Sequence, residues 1–232
     1  MKKHKLAYIL LGIFISIIFL FKAVEIVAFN EAHYEAMFIK YDIPKATGLE
    51  LEELRVVMGD VLKYLKDDRE LLDTTMIVDG NEEAAFGERA VLHMIDVKEL
   101  FIAGGRIRNI GFVVVIGLLI YLRMRDGKWK ENFTKAMFYV GIVNILLMLL
   151  LYILMLMDFY KYFTYFHLIF FDNDLWMLEA DELMIQMLPE GFFNDTAVKI
   201  ASYFFGVNVL LGVIGFRKFG VFDRLNGKGN KY

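Results

Sequence analysis

Four stretches of apolar residues divide this chain of 232 residues, and they restrict it to one class of fold. A helix needs about 20 mostly apolar residues to cross the hydrocarbon core of a bilayer. The runs at 6–29, 107–122, 137–157 and 197–216 supply four candidate segments. Inside lipid every backbone N–H and C=O must find a partner within the protein, and a helix satisfies them within its own segment. The second run is short and spans only if Arg106 and Arg108 extend their charged ends to the interface. The pattern therefore predicts an all-α membrane protein: four transmembrane helices with a small, mainly helical extracellular domain capping the bundle.

The first run has a second reading, a cleaved signal peptide, because Lys2, Lys3 and Lys5 precede its apolar core. That core is longer than a signal core, and Lys22, Glu25 and Phe29 stand where small residues are wanted, so it is read as an uncleaved span. Four spans put both termini on one side. Basic clusters occur at the N-terminal KKHK, at Arg123–Lys130 and in the tail, with Arg217, Lys218, Arg224, Lys228 and Lys231. They alternate with acid-rich segments at 30–106 and 158–196. The positive-inside rule then predicts a multi-pass protein with cytoplasmic termini, a cytoplasmic loop at 123–136, a cytoplasmic tail at 217–232 and two exterior segments. The net charge is −3, and the basic residues flank spans instead of forming an extended patch, which argues against a nucleic-acid partner. With no cysteine, the exterior part must be held by packing alone.

Within the first exterior segment, Leu51, Leu54, Val57, Met58, Val61, Leu62 and Leu65 recur at helical spacing and predict an amphipathic helix over 49–66. Residues 71–78 read as a short strand or loop ended by the turn Asp79-Gly80-Asn81. A further helix is predicted from near Glu82 through His93 to a bend at Gly104-Gly105. The second exterior segment is rich in aromatic residues, from Phe159 to Trp176, and reads as lying along the outer interface. Pro189 to Asp195 reads as a turn, with Asn194 or Asp195 capping the fourth span.

Covalent nucleophiles are nearly missing: there is no cysteine, and the only serines, Ser16 and Ser202, lie inside apolar runs. Imidazole is the side chain left to move protons near neutral pH. Of four histidines, His4 belongs to a basic cluster and His33 reads as an interface residue. His93 stands three residues before Asp96 on one helix face, so the carboxylate is expected to accept the imidazole N–H. His167 precedes Asn173, Asp174 and Trp176. Asn144 and Asn208 lie within spans and are expected to hydrogen-bond between helices. Arg106 and Arg108 read as interfacial, facing lipid headgroups or substrate carbonyls. Two other classes compete with a proton-transfer enzyme. His93, Asp96 and His167 would make a two-His-one-carboxylate zinc set for a membrane hydrolase, though no H-E-x-x-H or fourth ligand accompanies them. A non-enzymatic membrane sensor or binding protein is the other.

The strings FGERAVLHMIDVKELF (86–101), FHLIFFDNDLWML and PEGFFND (189–195) occur in this order on this topology, with Tyr41-Asp42 upstream. Together they resemble the lipoprotein intramolecular transacylases, four-span membrane proteins of low-GC Gram-positive bacteria. The resemblance covers most of the chain. It implies an enzyme that moves the sn-2 acyl chain of the S-diacylglyceryl group of a diacylated lipoprotein to the α-amino group of its N-terminal cysteine. The product is the lyso form. It further implies that His93 and His167 are the functional histidines. Asp96 is expected to support catalysis, and Arg89, Asn173, Asp174, Arg106 and Tyr41 to bind substrate or support the site. No cofactor or metal is required. Partners are the lipoprotein substrate and membrane lipid, and the site is expected at the outer leaflet.

Overall fold

A computed structural model describes residues 2–78 and 81–218 of the chain. Among these the helices are α1 (Lys5–Ala28), α2 (Glu31–Lys40), α3 (Ile43–Thr47), α4 (Leu51–Leu65), α5 (Glu88–Arg125), α6 (Trp129–Met157), α7 (Phe159–Phe170), α8 (Leu183–Met187) and α9 (Glu190–Lys218). Strands β1 (Thr75–Val78) and β2 (Asn81–Ala84) pair antiparallel, with Thr75 opposite Ala84 and Val78 opposite Asn81. Asp79 and Gly80, assigned to a turn above, lie outside the described residues, as does the tail beyond Lys218. The chain divides into two compact units.

The first unit takes in residues up to Val24, Arg106–Ile153 and the part of α9 from Lys199. Four helices, α1, α5, α6 and α9, are long and apolar enough to cross a membrane. Their apolar side chains are mostly exposed, Val113 by 72% and Leu210 by 63%, which is the surface a lipid solvent requires and water would not tolerate. This is an integral membrane protein.

Helices gain nothing hydrophobic by leaving lipid for one another, so close approach and polar contacts must hold them. Asn144 donates from Nδ2 to Asn208 Oδ1 at 2.7 Å and to Ser16 Oγ at 2.8 Å. Asn208 returns its own amide to the Phe204 carbonyl at 2.8 Å. The two span asparagines thus pair between α6 and α9, as anticipated. Gly141 makes room for them: a Cβ there would stand 2.8 Å from Asn208 O and 3.1 Å from Gly212 N. Asp126 accepts from Tyr8 Oη at 2.8 Å, Asn132 Nδ2 at 2.7 Å and the Lys128 backbone at 3.0 Å. The Asn132 amide leads in holding its carboxyl down to about 2.

The second unit, Glu25–Gly105 and Leu154–Val198, has a core of the kind water builds. The amphipathic helix α4 buries Leu54, Val57, Met58, Val61, Leu62 and Leu65 against Phe38, Ile43, Phe86 and Met187. Its first turn is closed where Glu53 accepts from the Glu50 N–H at 2.8 Å.

Three expectations are corrected. The motif helix starts at Glu88 and not near Glu82, because residues 81–84 are taken by the hairpin. Gly104-Gly105 does not end the helix: α5 is continuous for 38 residues. Glycine weakens a helix interior by roughly 1 kcal/mol without forbidding it, and no competing turn partner draws the backbone away. PEGFFND is not a turn before α9 but its beginning, so Asp195 lies in its second turn and caps nothing. Pro189 stands just before the first helical residue, where proline's missing N–H leaves no helical bond unmade.

The two glycines Gly59 and Gly141 should respond oppositely to alanine. A Cβ at Gly59, inside α4, meets nothing within 4 Å. Gly59→Ala should therefore stabilise by about 0.5–1 kcal/mol through helix propensity and unfolded-state entropy. Gly141→Ala collides with backbone and should lower the melting temperature of the detergent-solubilised protein by several degrees.

Candidate functional site

Arg89, His93 and Asp96 stand at i, i+4 and i+7 on α5, hence on one face of the helix. Facing them is the connection that follows α7. Arg89 Nε donates to the Met177 carbonyl at 3.2 Å, and its Nη2 donates to the Asp174 carbonyl and pairs with Asp174 Oδ1 at 3.1 Å. Asn173 donates from Nδ2 to Asp96 Oδ2 at 2.8 Å while its Oδ1 accepts from the Leu175 N–H at 3.0 Å. Glu182 accepts from the Gly87 N–H at 3.2 Å. A connection with little regular structure of its own is thereby tied to the start of α5 at three points.

Between these ties lie the two histidines. His93 is 9% exposed and His167 7%, and their ring centroids are 6.2 Å apart. His167 sits in a box of rings: Phe163 edge-on at 4.4 Å, Phe166 at 5.5 Å, Phe171 at 5.7 Å and Trp176 stacked at 4.7 Å. Phe171 also meets His93 edge-on at 5.2 Å. Phe193, from the first turn of α9, packs on Phe163 at 4.8 Å.

The tautomer of His167 follows from one bond. Its Nδ1 lies 2.8 Å from the Phe163 carbonyl oxygen, one helical turn earlier. A carbonyl only accepts, so Nδ1 carries the proton and Nε2 keeps its lone pair. Burial lowers the proton affinity of His167, opposed by that backbone bond. Burial pushes His93 down to about 4, helped by the neighbouring His167 and opposed by Asp96. Both rings are neutral near pH 7.

Asp96 does not orient His93 as anticipated. Its carboxylate takes the Asn173 amide, and His93 Nδ1 is buried with no hydrogen-bond partner. Nor do His93, Asp96 and His167 converge: among the described residues no three His, Asp or Glu side chains form a group able to hold a metal ion. The zinc reading has no geometric support.

The other anticipated residues separate. Tyr41 is elsewhere in the second unit: its Oη donates to Asp195 Oδ2 at 2.8 Å, and Lys40 pairs with the same oxygen. The Tyr41 ring lies against Gly191, where a Cβ would come within 2.7 Å of its hydroxyl. This ties Tyr41 to the PEGFFND string as a packing contact. His33 is packed inside the second unit, 2% exposed, with Nε2 at 2.9 Å from Thr196 Oγ1. Arg106 is an exposed residue of the first unit. Phe163, Phe171 and Trp176 come from the aromatic stretch 159–176, and the structure packs them on His167. The available signal was the i, i+4 spacing of Phe163 and His167 on a helix, which stacks ring on ring.

Known proteins give a consistent picture. The family model described as lipoprotein intramolecular transacylase Lit matches residues 9–193. An uncharacterized protein of Aquifex aeolicus is 29% identical over 207 residues, covering 88% of this chain and 89% of its own. The solved structure of the membrane integral lipoprotein intramolecular transacylase Lit from Bacillus cereus superposes with a TM-score of 0.78 at 19% identity, covering 94% of this chain and 96% of that one. A structure of the same protein with one histidine replaced by arginine gives 0.74 at 19% identity, covering 94% and 92%.

Burial of neutral His93 has a pH signature. The unfolded chain protonates this ring near pH 6.5, the folded chain only near 4, so protonation favours unfolding. The stability present above pH 6.5 should fall as pH drops towards 4, by at most about 3 kcal/mol from this residue. Melting temperatures of the wild type and His93→Leu across pH 4–7 should diverge, the variant losing less on acidification.

Proposed function

Because the chain belongs to the lipoprotein intramolecular transacylase family, Lit, we propose that it moves the sn-2 acyl chain of a lipoprotein's S-diacylglyceryl group onto the α-amino group of the same molecule's N-terminal cysteine, with His167 as general base and His93 as oxyanion donor. The substrate carries both nucleophile and ester, so the enzyme needs no nucleophile of its own and acts by holding the two ends together. The observation that carries the division of roles is the His167 Nδ1–H bond to the Phe163 carbonyl, which leaves Nε2 as the free base.

The terminal ammonium, with a reference pKa near 8, first loses one proton to solvent. The neutral amine attacks the ester carbon; an N–C bond forms and the carbonyl electrons pass to oxygen. His167 Nε2 takes one of the two protons left on that nitrogen and delivers it to the glyceryl oxygen as the C–O bond breaks, while the other stays as the amide N–H. An amide and a free sn-2 hydroxyl remain. His93, held neutral by burial, donates an N–H to the oxyanion without bringing a cation into the box. Arg89, Asp96, Asn173 and Asp174 are positioning residues that hold the connection carrying Trp176. Tyr41 anchors the start of α9 through Asp195. The basic clusters support cytoplasmic termini and a site at the outer leaflet, where acyl chains stay in lipid while the cysteine amine meets polar groups.

Mass spectrometry of lipoprotein N-termini tests this reading in cells carrying the chain or its variants. His167→Ala and His93→Ala should each reduce lyso-form production at least 100-fold. Full activity in both variants would overturn the assignment. In purified enzyme kcat/KM should rise with pH through an inflection near 8, set by the substrate ammonium, with no inflection at 6.5.

A further inference from the structure

Among the rings packed on His167 besides His93, Trp176 adds a hydrogen-bond donor where Phe163, Phe166 and Phe171 add none. Its Nε1 is buried and has no hydrogen-bond partner within the protein. An unpaired buried donor costs stability, and a phenylalanine would stack on His167 without that cost. The backbone that carries the indole is tied down on both sides. Arg89 holds the carbonyls of Asp174 and Met177 on either side of it, and Asn173 is held by Asp96. The indole and the His167 imidazole are stacked 27° from parallel. The indole N–H and the His167 Nε2 lone pair therefore lie in adjacent, nearly parallel ring planes. A tetrahedral carbon carrying the amine nitrogen and an oxyanion needs a base for one and a donor for the other, set side by side.

We infer that Trp176 is a catalytic residue of this site, its indole N–H donating a hydrogen bond to the carbonyl oxygen of the acyl ester and tightening on it as that oxygen becomes an oxyanion. This rests on the reading of His167 as the base. The ester reaches the N–H when the rings of the box part to admit the acyl group. The bonds made and broken are those of the transfer itself: N–C forms, C–O breaks, and the proton passes from nitrogen through His167 to the glyceryl oxygen. Trp176 gives up no proton. Two neutral donors, His93 and Trp176, then share the developing charge, with no cation to desolvate.

Trp176→Phe keeps the stacked ring and removes only the donor. With a synthetic diacylated lipopeptide in detergent, it should lower kcat about 100-fold at little-changed KM. Its melting temperature should equal or exceed that of the wild type, because an unpaired donor has been removed. A kcat within threefold of wild type would overturn the inference. His167→Ala measured in parallel separates the two ideas. An active His167→Ala enzyme sinks the base assignment, whereas an inactive one beside an active Trp176→Phe enzyme sinks the tryptophan alone. Should Trp176→Phe fail to fold, the wild type decides. The chain has two tryptophans, so indole N–H resonances are assigned by comparison with Trp129→Phe. On adding a lipopeptide phosphonate that mimics the tetrahedral adduct, the Trp176 indole proton should move downfield while that of Trp129 stays. An unmoved Trp176 resonance would overturn the inference.

Discussion

The unbroken run of α5 is the constraint on which the site depends. A helix places residues at i, i+4 and i+7 on one face with no side-chain contribution to their alignment, and Arg89, His93 and Asp96 use that geometry. The outer two reach across to residues 173–177, and the middle one is left facing the second histidine. Arginine suits the first position because its planar fork offers several donors at once, enough for two carbonyls and a carboxylate. Asp96 suits the last because its carboxylate oxygen accepts the Asn173 amide. The connection they hold carries Trp176, so the same face of α5 that presents His93 also places the indole against His167.

Burial sets the electrostatics of that box. Two imidazoles among phenylalanine and tryptophan rings meet a medium that penalises the charged form, so both stay neutral at a pH where a free histidine would be partly protonated. Neutrality is useful for aminolysis, since a protonated base could not accept from the attacking nitrogen. The same medium strengthens each hydrogen bond aimed at a developing charge. The i−4 carbonyl that selects the His167 tautomer is a backbone group and cannot titrate, so the assignment survives a change of pH that would neutralise a carboxylate partner.

Two solvents have shaped the two units differently. The second unit excludes water with a compact core of leucine, methionine and phenylalanine. In the first unit apolar burial is worth little, and its contacts are amide pairs and glycine approaches: Asn144 with Asn208 and Ser16, Gly141 against the backbone of α9. The same residue types would be poor choices if exchanged, because an asparagine pair adds little where water competes and a leucine core adds little where lipid does.

Hydropathy alone located the four spans, and a 3.6-residue period located the amphipathic helix α4, because both are properties of a continuous stretch of chain. Scarcity of nucleophiles and the family resemblance singled out His93 and His167 before any contact was visible. Partner choice was not legible. Asp96 stands three residues from His93 yet bonds to Asn173, 77 residues away, and Arg89 finds its carbonyls 85 and 88 residues away. Likewise the hairpin displaced the start of α5, and Tyr41 explains a glycine 150 positions later only once the ring is seen against it. Local periodicity is written in neighbours along the chain and can be read there. The satisfaction of a buried donor or carboxylate depends on which distant segment packs against it, and that competition is decided only when the tertiary structure forms.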